Sequence, residues 1–212
     1  MARYLINDAE IGTEIKKTLV LEFDVIILEA EAMTTDVLAW QNWENLTPEK
    51  TVLVMPGNGA EIVKTYIAKM NPAWFSQWPW QFRPFAKRIW QPGENPQIFT
   101  ERIDPDKMHL GIKHVIVLDD VISSGSTIQR LKQINEPWIP GATWRAITWV
   151  KQEAAMTKGF YPVIASKSIG ERNHKVPINS LSTLMERPEI ANSYAQRNFG
   201  TNASYFLEII NS

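Results

Sequence analysis

The stretch HVIVLDDVISSGSTIQRL, from His114 to Leu131, decides the fold of this 212-residue chain. It begins with an apolar, β-branched run that predicts a buried strand, and it ends in a segment with the apolar spacing of a helix. Between the two stand adjacent carboxylates, Asp119 and Asp120, and then a loop of serine, glycine and threonine. Packing alone gives no reason to end a buried strand with two acids.

The hydroxyl-rich loop has the chemistry of an anion site. Residues Ser123 to Thr127 offer several backbone N–H groups and up to four hydroxyls at the start of the predicted helix, where the helix dipole adds partial positive charge. Gly125 permits positive φ and the close approach of an anion. The loop therefore predicts a phosphate cradle that needs no lysine.

The two acids limit what that anion can be. A strand that continues through Asp119 and Asp120 points them to opposite sides, and carboxylates beside a bare phosphate would repel it. They become favourable if a sugar lies between and donates its hydroxyls to them, or if Mg²⁺ is present. The stretch is thus interpreted as a sugar-phosphate site.

A second stretch, TVLVMPGNGAEIVKTYIAKM from Thr51 to Met70, reads as a strand, a glycine turn at residues 56–59 and a helix from Glu61 to Met70. Further strands are predicted at residues 23–28 and 143–150, and helices before residue 20 and after Ser182. Alternating strands and helices predict an α/β fold with a largely parallel central sheet flanked by helices. Ligands bind beyond the carboxyl ends of such strands, so both turns belong to one site.

Composition narrows the classes of protein. The net charge of -1 gives no reason to expect nucleic acid or a membrane as partner. The chain has no cysteine, which excludes disulfides and thiolate chemistry. The N-terminus lacks the apolar stretch of a signal peptide, so we expect a cytoplasmic protein.

Three alternatives compete for the Asp-Asp-serine stretch. Ser123 or Ser124 could simply be the N-cap of a helix, which leaves the acids unexplained. A P-loop ATPase would need a Gly-Lys dipeptide, and the chain has none. A dinucleotide-binding fold could instead be built on GNGAEI, which has Gly57 and Gly59. It would need a third glycine where Ile62 stands.

The order of residues from Val115 to Thr127 resembles the thirteen-residue phosphoribosyl pyrophosphate (PRPP) motif of the type I phosphoribosyltransferases. Four apolar residues, two acids, two apolar residues and a hydroxyl-rich loop with glycine and a final threonine fall in the order of that motif. The resemblance implies one domain over residues 1–212. Its core would span about residues 45–155, with a small variable hood built from the N-terminal region and about residues 160–212.

The resemblance also implies residue roles. Asp119 and Asp120 would contact the ribose hydroxyls, and the loop would bind the 5′-phosphate through Ser123, Ser124, Gly125, Ser126 and Thr127. The turn after the earlier strand would bind pyrophosphate through Gly57, Asn58 and Gly59, although members of the family often carry a basic residue there. Mg²⁺ would bind through PRPP, and also through Asp119 or Asp120.

A mobile loop before the motif strand covers the reacting centre in this family. The segment RPFAKRIW supplies Arg83, Lys87 and Arg88 there, and a solvated basic stretch is the alternative. Lys87 or Arg88 would stabilise the charge that builds on the leaving group. The implied activity is transfer of ribose 5-phosphate from PRPP to a nitrogenous base with release of pyrophosphate, carried out by a homodimer.

Two questions stay open at this stage. The acceptor is not specified; family members that use 6-oxopurines commonly have an aspartate at the position of Ser123, so such an acceptor is disfavoured. The alternative function is a non-enzymatic regulatory protein that binds PRPP or a nucleotide.

The segment from residue 71 to 100 is rich in tryptophan, which suits core packing, a stacking lid or a dimer contact.

Overall fold

The structure is a computed structural model that describes residues 2–89, 97–103, 111–153, 162–171 and 176–212, without the side chains of residues 87–89. In the first half of the chain, the elements are β1 (Arg3–Asn7), α1 (Thr13–Phe23), β2 (Val25–Glu29), α2 (Ala30–Leu38), β3 (Thr51–Val54), α3 (Gly57–Met70), β4 (Trp80–Phe82), β5 (Ala86–Ile89) and β6 (Gln97–Thr100). In the second half they are β7 (His114–Ile122), α4 (Ser126–Asn135), β8 (Thr143–Gln152), β9 (Val163–Ile169), β10 (Ile178–Ser180), α5 (Leu181–Glu186), α6 (Pro188–Phe199) and α7 (Ala203–Ile210).

The chain divides into two compact units. One comprises Met1–Met33 and Lys175–Ser212, and the other comprises Thr34–His174. The second unit contains a five-stranded sheet in the order β4-β3-β7-β8-β9, and every neighbouring pair in it is parallel. This sheet confirms the predicted α/β class with a largely parallel central sheet.

Strand β7 lies at the centre of that sheet because it is apolar on both faces. Val115 to Leu118 are all fully buried, as expected for a strand covered by helices on either side. The structure corrects its predicted end: the strand does not stop at Asp120 but continues to Ile122. The β-branched Val121 and Ile122 pair with β8 and extend the ladder.

Helices α3 and α4 cover the sheet. Ile128 and Leu131 of α4 pack in one core cluster with Val115 and Val117 of β7. The predicted start of α3 at Glu61 is wrong, because the helix begins at Gly57 and the glycine turn forms its first turn. Both helices therefore begin next to the carboxyl ends of the strands that precede them.

The other unit holds a three-stranded parallel sheet in the order β10-β1-β2. The helix predicted before residue 20 is wrong for Arg3–Asn7, which form strand β1, since five residues carry no periodicity that a short window can detect. Helix α6 begins with Pro188, where a proline costs no hydrogen bond. The core of this unit surrounds Phe206, which is fully buried.

Part of the tryptophan-rich segment is core packing. Trp74 and Trp78 are buried, and their rings lie 5.0 Å and 5.6 Å from the ring of Trp43. The segment continues into an antiparallel hairpin formed by β5 and β6. Trp90 lies outside the described residues. Within the described ranges, no helix has the length and apolar character needed to cross a bilayer.

Candidate functional site

The two acids stand in the last third of β7 and are half-buried. Because the strand runs through both of them, Asp119 and Asp120 point to opposite faces of the sheet. Asp119 pairs in register with Thr148 of β8. The carboxyl end of the central strand thus presents one carboxylate on each face.

Asp120 lies against the first turn of α3. The Cβ atom that Gly59 lacks would overlap Oδ1 of Asp120 and would lie 2.5 Å from its Cγ. No side chain fits between the helix and the carboxylate, so glycine is the residue that lets the two approach. The structure therefore brings together a residue predicted to bind ribose and a residue predicted to bind pyrophosphate.

Local hydrogen bonds orient both acids. Asp120 Oδ1 accepts the N–H of Val121 at 2.7 Å, and Asp119 Oδ1 accepts the N–H of Asp120 at 3.0 Å. A carboxylate can accept about four hydrogen bonds, and a bond to the adjacent backbone fixes the direction of each of these two.

Thr148 is a site residue that the sequence analysis missed. It is fully buried, and its hydroxyl donates to the carbonyl oxygen of Asp120 at 2.8 Å. The only signal in the sequence is a single hydroxyl inside the apolar strand around Ile147 and Trp149. A threonine is common in strands for its shape alone, so that signal does not separate a packing role from a polar one.

The serine loop ends where α4 begins. Gly125 takes the N-cap position with φ of 71°, a left-handed conformation that glycine adopts without strain. The cap makes no side-chain hydrogen bond, so neither Ser123 nor Ser124 is the N-cap residue. The hydroxyls of Ser124 and Ser126 lie 2.8 Å apart. Thr127 follows as the second helical residue and is half-buried. This arrangement presents hydroxyls and the first N–H groups of a helix to one space.

The glycine turn also presents backbone groups rather than large side chains. Gly57 has φ of 69°, and its N–H donates to the carbonyl oxygen of Pro84 at 3.2 Å. Asn58 is exposed, so its side chain is accessible from solvent. Backbone N–H groups at the start of α3 thus adjoin the Asp120 carboxylate on one side and the base of the β5–β6 hairpin on the other.

The predicted cations belong to that hairpin. Lys87 and Arg88 lie in β5 and pair in register with Phe99 and Ile98 of β6. Their side chains lie outside the described part of the chain. The preceding residue, Ala86, would lie 3.7 Å from a Cβ on Gly57, which places this strand beside the glycine turn.

Arg83, the third candidate cation, has a partner on the protein. Its Nε lies 3.5 Å from Oε1 of Glu61 in α3, and both side chains are about half exposed. Exposed pairs of this kind contribute little to stability, so the contact does not tie up the guanidinium permanently.

A cleft of about 510 Å³ opens at the serine loop. One wall is β6, and the other is the face of α4 that begins with Ser126. A volume of this size suits a ligand of nucleotide dimensions. The serine loop is therefore bordered by a concave surface.

The site suits a Mg²⁺ ion that a ligand brings with it. Among the described residues, no group of three or more histidine, aspartate or glutamate side chains is arranged to hold a metal ion. Asp119 and Asp120 offer carboxylate oxygens at the strand end, and Mg²⁺ commonly takes one or two carboxylates together with the oxygens of a phosphorylated substrate. The donor set fits that mode of binding.

The comparisons with known proteins give structural neighbours only. No family model matches the sequence, and no curated protein is a significant match. The xanthine-guanine-hypoxanthine phosphoribosyltransferase of Helicobacter pylori is similar with a TM-score of 0.49 and 12% identity, over 90% of this chain and 99% of that chain.

Two further neighbours are the purine phosphoribosyltransferase of Pyrococcus horikoshii and the orotate phosphoribosyltransferase of Aeropyrum pernix. The first has a TM-score of 0.46 and 13% identity over 84% of this chain and 92% of that chain. The second has a TM-score of 0.37 and 14% identity over 64% of this chain and 70% of that chain. All of these TM-scores lie below 0.5, so they assign no residue roles to this chain. The neighbours are phosphoribosyltransferases, the family that the motif from Val115 to Thr127 resembles.

Proposed function

We propose that this protein is a phosphoribosyltransferase that moves ribose 5-phosphate from PRPP to a nitrogenous base and releases pyrophosphate. The observation that carries the proposal is the contact between Gly59 and Asp120. It joins a glycine turn with helix N–H groups to an acid at the end of the central strand. A diphosphate and a ribose are adjacent in PRPP, and the two groups suited to them are adjacent here.

The serine loop supplies the third part of the donor. The 5′-phosphate lies in the loop from Ser123 to Thr127, where hydroxyls and helix N–H groups donate to its oxygens. The ribose hydroxyls donate to Asp119 and Asp120. Three separate anchors hold the sugar so that its anomeric carbon faces the incoming base, and this orientation is itself a large catalytic contribution.

The reaction exchanges one bond at the anomeric carbon. A ring nitrogen of the base forms the new bond to C1′ with its lone pair, and the bond from C1′ to the pyrophosphate oxygen breaks with its electrons leaving on that oxygen. The nitrogen's proton passes to solvent or to the leaving group. Positive charge builds on the ribose ring in between, and the carboxylates of Asp119 and Asp120 would stabilise it in this proposal.

Negative charge builds on the leaving pyrophosphate. The N–H groups of Asn58 and Gly59 would face that charge, since the N–H of Gly57 donates to Pro84, and Lys87 or Arg88 of the adjacent strand β5 would neutralise part of it. When bound with PRPP, Mg²⁺ neutralises the leaving group further. In this proposal the ion would take Asp119 or Asp120 as its protein ligand.

The test is pyrophosphate release. The full chain is incubated with PRPP, Mg²⁺ and, one at a time, adenine, guanine, hypoxanthine, xanthine, uracil and orotate. We expect release with at least one base and none when either the base or Mg²⁺ is omitted. The matching nucleotide product is identified by mass spectrometry.

Two variants sharpen this assay. The double substitution Asp119→Asn with Asp120→Asn removes both site carboxylates and is expected to abolish release. Asp24→Asn removes an exposed carboxylate at the end of α1, in a left-handed conformation that asparagine tolerates, and is expected to change nothing. PRPP binding without release for any base would support the regulatory alternative instead, and absence of PRPP binding would contradict both.

A further inference from the structure

The cleft between β6 and α4 contains polar groups that the phosphoribosyl reaction does not use. Ser126, Gln129, Arg130 and Gln133 recur at helical spacing along one face of α4 and line it together with residues of β6. Only Ser126 belongs to the phosphate loop. The remaining polar surface extends away from the acids and needs its own explanation.

Four polar side chains of this cleft have no partner in the part of the chain that the structure describes. In the described ranges, the side-chain amides of Gln97, Gln129 and Gln133 make no hydrogen bond, and no carboxylate lies within ion-pair distance of Arg130. None of the described residues that line the cleft is acidic. The described lining therefore combines a cation that has no described counter-charge with three amides that can each donate and accept.

A buried hydroxyl points the same way. Thr100, at the end of β6, lines the cleft, and its Oγ1 is buried without a hydrogen-bond partner among the described residues. Burying a hydroxyl without a partner is unfavourable, so such groups in native proteins generally meet a ligand or a water. Thr100 belongs to the β6 wall of the cleft, and Gln129 and Gln133 belong to the α4 wall.

We propose that this cleft binds a nucleoside 5′-phosphate, separately from PRPP. The phosphate lies towards Arg130 and Ser126, where a guanidinium and a hydroxyl donate to it. The base lies along β6, where Phe99 is 45% exposed and offers a face for stacking. The amides of Gln97, Gln129 and Gln133 read the donors and acceptors on the edge of the base.

The chemistry of the cleft excludes simpler occupants. A cationic ligand would meet Arg130 with no carboxylate to offset the repulsion. A sugar would use the amides and leave the cation without a counter-charge, while phosphate alone would leave Phe99 and the amides unused. A nucleotide is the small-molecule class that has an anion, a flat ring and a polar edge together.

The proposal goes beyond the transfer reaction and does not depend on it. Ser126 lines the cleft and also belongs to the loop from Ser123 to Thr127, which binds the 5′-phosphate of PRPP in the proposed function. A nucleotide bound in the cleft would therefore also alter the binding site of that phosphate. Occupancy of the cleft would then change PRPP affinity, and by linkage PRPP would change nucleotide affinity by the same factor.

The experiment is calorimetric titration of the full chain with AMP, GMP, CMP and UMP, with adenosine and inorganic phosphate as the two halves of the ligand. At least one nucleotide is expected to bind with a Kd below about 1 mM, and both halves are expected to bind at least about tenfold more weakly. Arg130→Ala is expected to weaken binding at least about tenfold, and Gln129→Leu, which removes the amide at similar volume, several-fold.

Control variants separate the cleft from the donor site. Arg197→Ala removes an exposed arginine from α6 and should leave nucleotide affinity unchanged. Asp120→Asn should leave in place the nucleotide binding that depends on Arg130, whatever the outcome of the pyrophosphate assay. The proposal is overturned if no nucleotide binds, if Arg130→Ala binds as tightly as the parent, or if Asp120→Asn alone abolishes binding, since the nucleotide would then occupy the PRPP site.

Discussion

The carboxylate of Asp120 lies against the backbone of Gly59, in the space that a Cβ atom would fill. One residue ends the central strand, and the other forms the first turn of the helix that covers it. The two are 61 positions apart in the sequence, and the contact depends on the absence of a side chain at position 59. The position of the Asp120 carboxylate therefore depends on the glycine turn, and a side chain at position 59 would change it.

Gly59→Ala is expected to disturb the site more than the fold. Alanine is favoured over glycine inside a helix by about 0.5–1 kcal/mol, which offsets part of the cost of moving a flexible carboxylate. The new methyl group must turn the Asp120 carboxylate away and break its bond to the Val121 N–H. PRPP affinity should fall at least about tenfold in calorimetry, while the melting temperature shifts by only a few degrees.

Gly12→Ala is the matched control for that substitution. A Cβ on Gly12 meets nothing within 4 Å, and its φ of -63° suits any residue. It should leave PRPP affinity unchanged. If Gly59→Ala bound PRPP as well as Gly12→Ala does, the position of the Asp120 carboxylate would have no bearing on the ligand.

Asp120→Asn is expected to weaken PRPP binding and leave the protein folded. The asparagine oxygen can still accept the Val121 N–H, and the backbone bond from Thr148 is untouched. What is lost is the negative charge that accepts ribose hydroxyls, and bonds to charged groups are worth about 1.5–3 kcal/mol. Calorimetry should show an affinity loss of at least about tenfold. If the variant were unfolded even in the absence of ligand, Asp120 would be required for the fold and not for binding PRPP.

Thr127→Val tests the phosphate loop at constant shape. Valine keeps the volume of threonine at the second position of α4 and removes the hydroxyl. We expect weaker binding of both PRPP and ribose 5-phosphate, by about five- to tenfold, since one donor to the phosphate is lost. Pyrophosphate binding should not change. Thr127→Ser should restore most of the affinity, and equal losses in the serine and valine variants would show that the methyl group matters instead.

Much of this site could be predicted because its signals are local. The two acids and the serine loop are contiguous in the chain. The four apolar residues before them predict a central strand, and all four are fully buried. The parallel sheet followed from the alternation of such strands with helices. The start of α3 was missed because glycines usually end helices, and here Gly57 and Gly59 form the first turn so that the backbone can approach its neighbours.

What could not be predicted depends on residues far apart in sequence. The hydrogen bond from the Thr148 hydroxyl to the Asp120 carbonyl depends on the β7–β8 register, which no local pattern encodes. The cleft arises because β6 packs opposite α4, and Thr100 looks like any strand threonine until its neighbours are known. Strand β1 was missed for a different reason, because its five residues are too few for a periodic signal.

Thr148→Val is expected to lower stability and PRPP affinity together. The substitution conserves shape in a fully buried position and removes the donor to the Asp120 carbonyl. The lost bond should cost about 1–2 kcal/mol in urea unfolding. Thr65→Val makes the same chemical change on the exposed side of α3 and should cost less than about 0.5 kcal/mol. Thr148→Ser should recover the affinity, and equal stability of the two valine variants would remove Thr148 from the support of Asp120.

Tyr194→Phe is expected to make the protein more stable. The ring of Tyr194 packs with Phe206 and Phe199 at centroid distances of 5.9 Å, and phenylalanine keeps both contacts. Its hydroxyl is buried and has no hydrogen-bond partner among the described residues, and burial raises the pKa of the phenol far above its usual range. Removing an unsatisfied buried hydroxyl recovers its desolvation cost, so the free energy of unfolding should rise by about 1 kcal/mol. Urea unfolding measures this as a higher midpoint at unchanged slope.

Tyr205→Phe, at an exposed ring in the same unit, should shift the midpoint by less than half as much. A fall in stability for Tyr194→Phe would mean that the hydroxyl is satisfied in solution by a water.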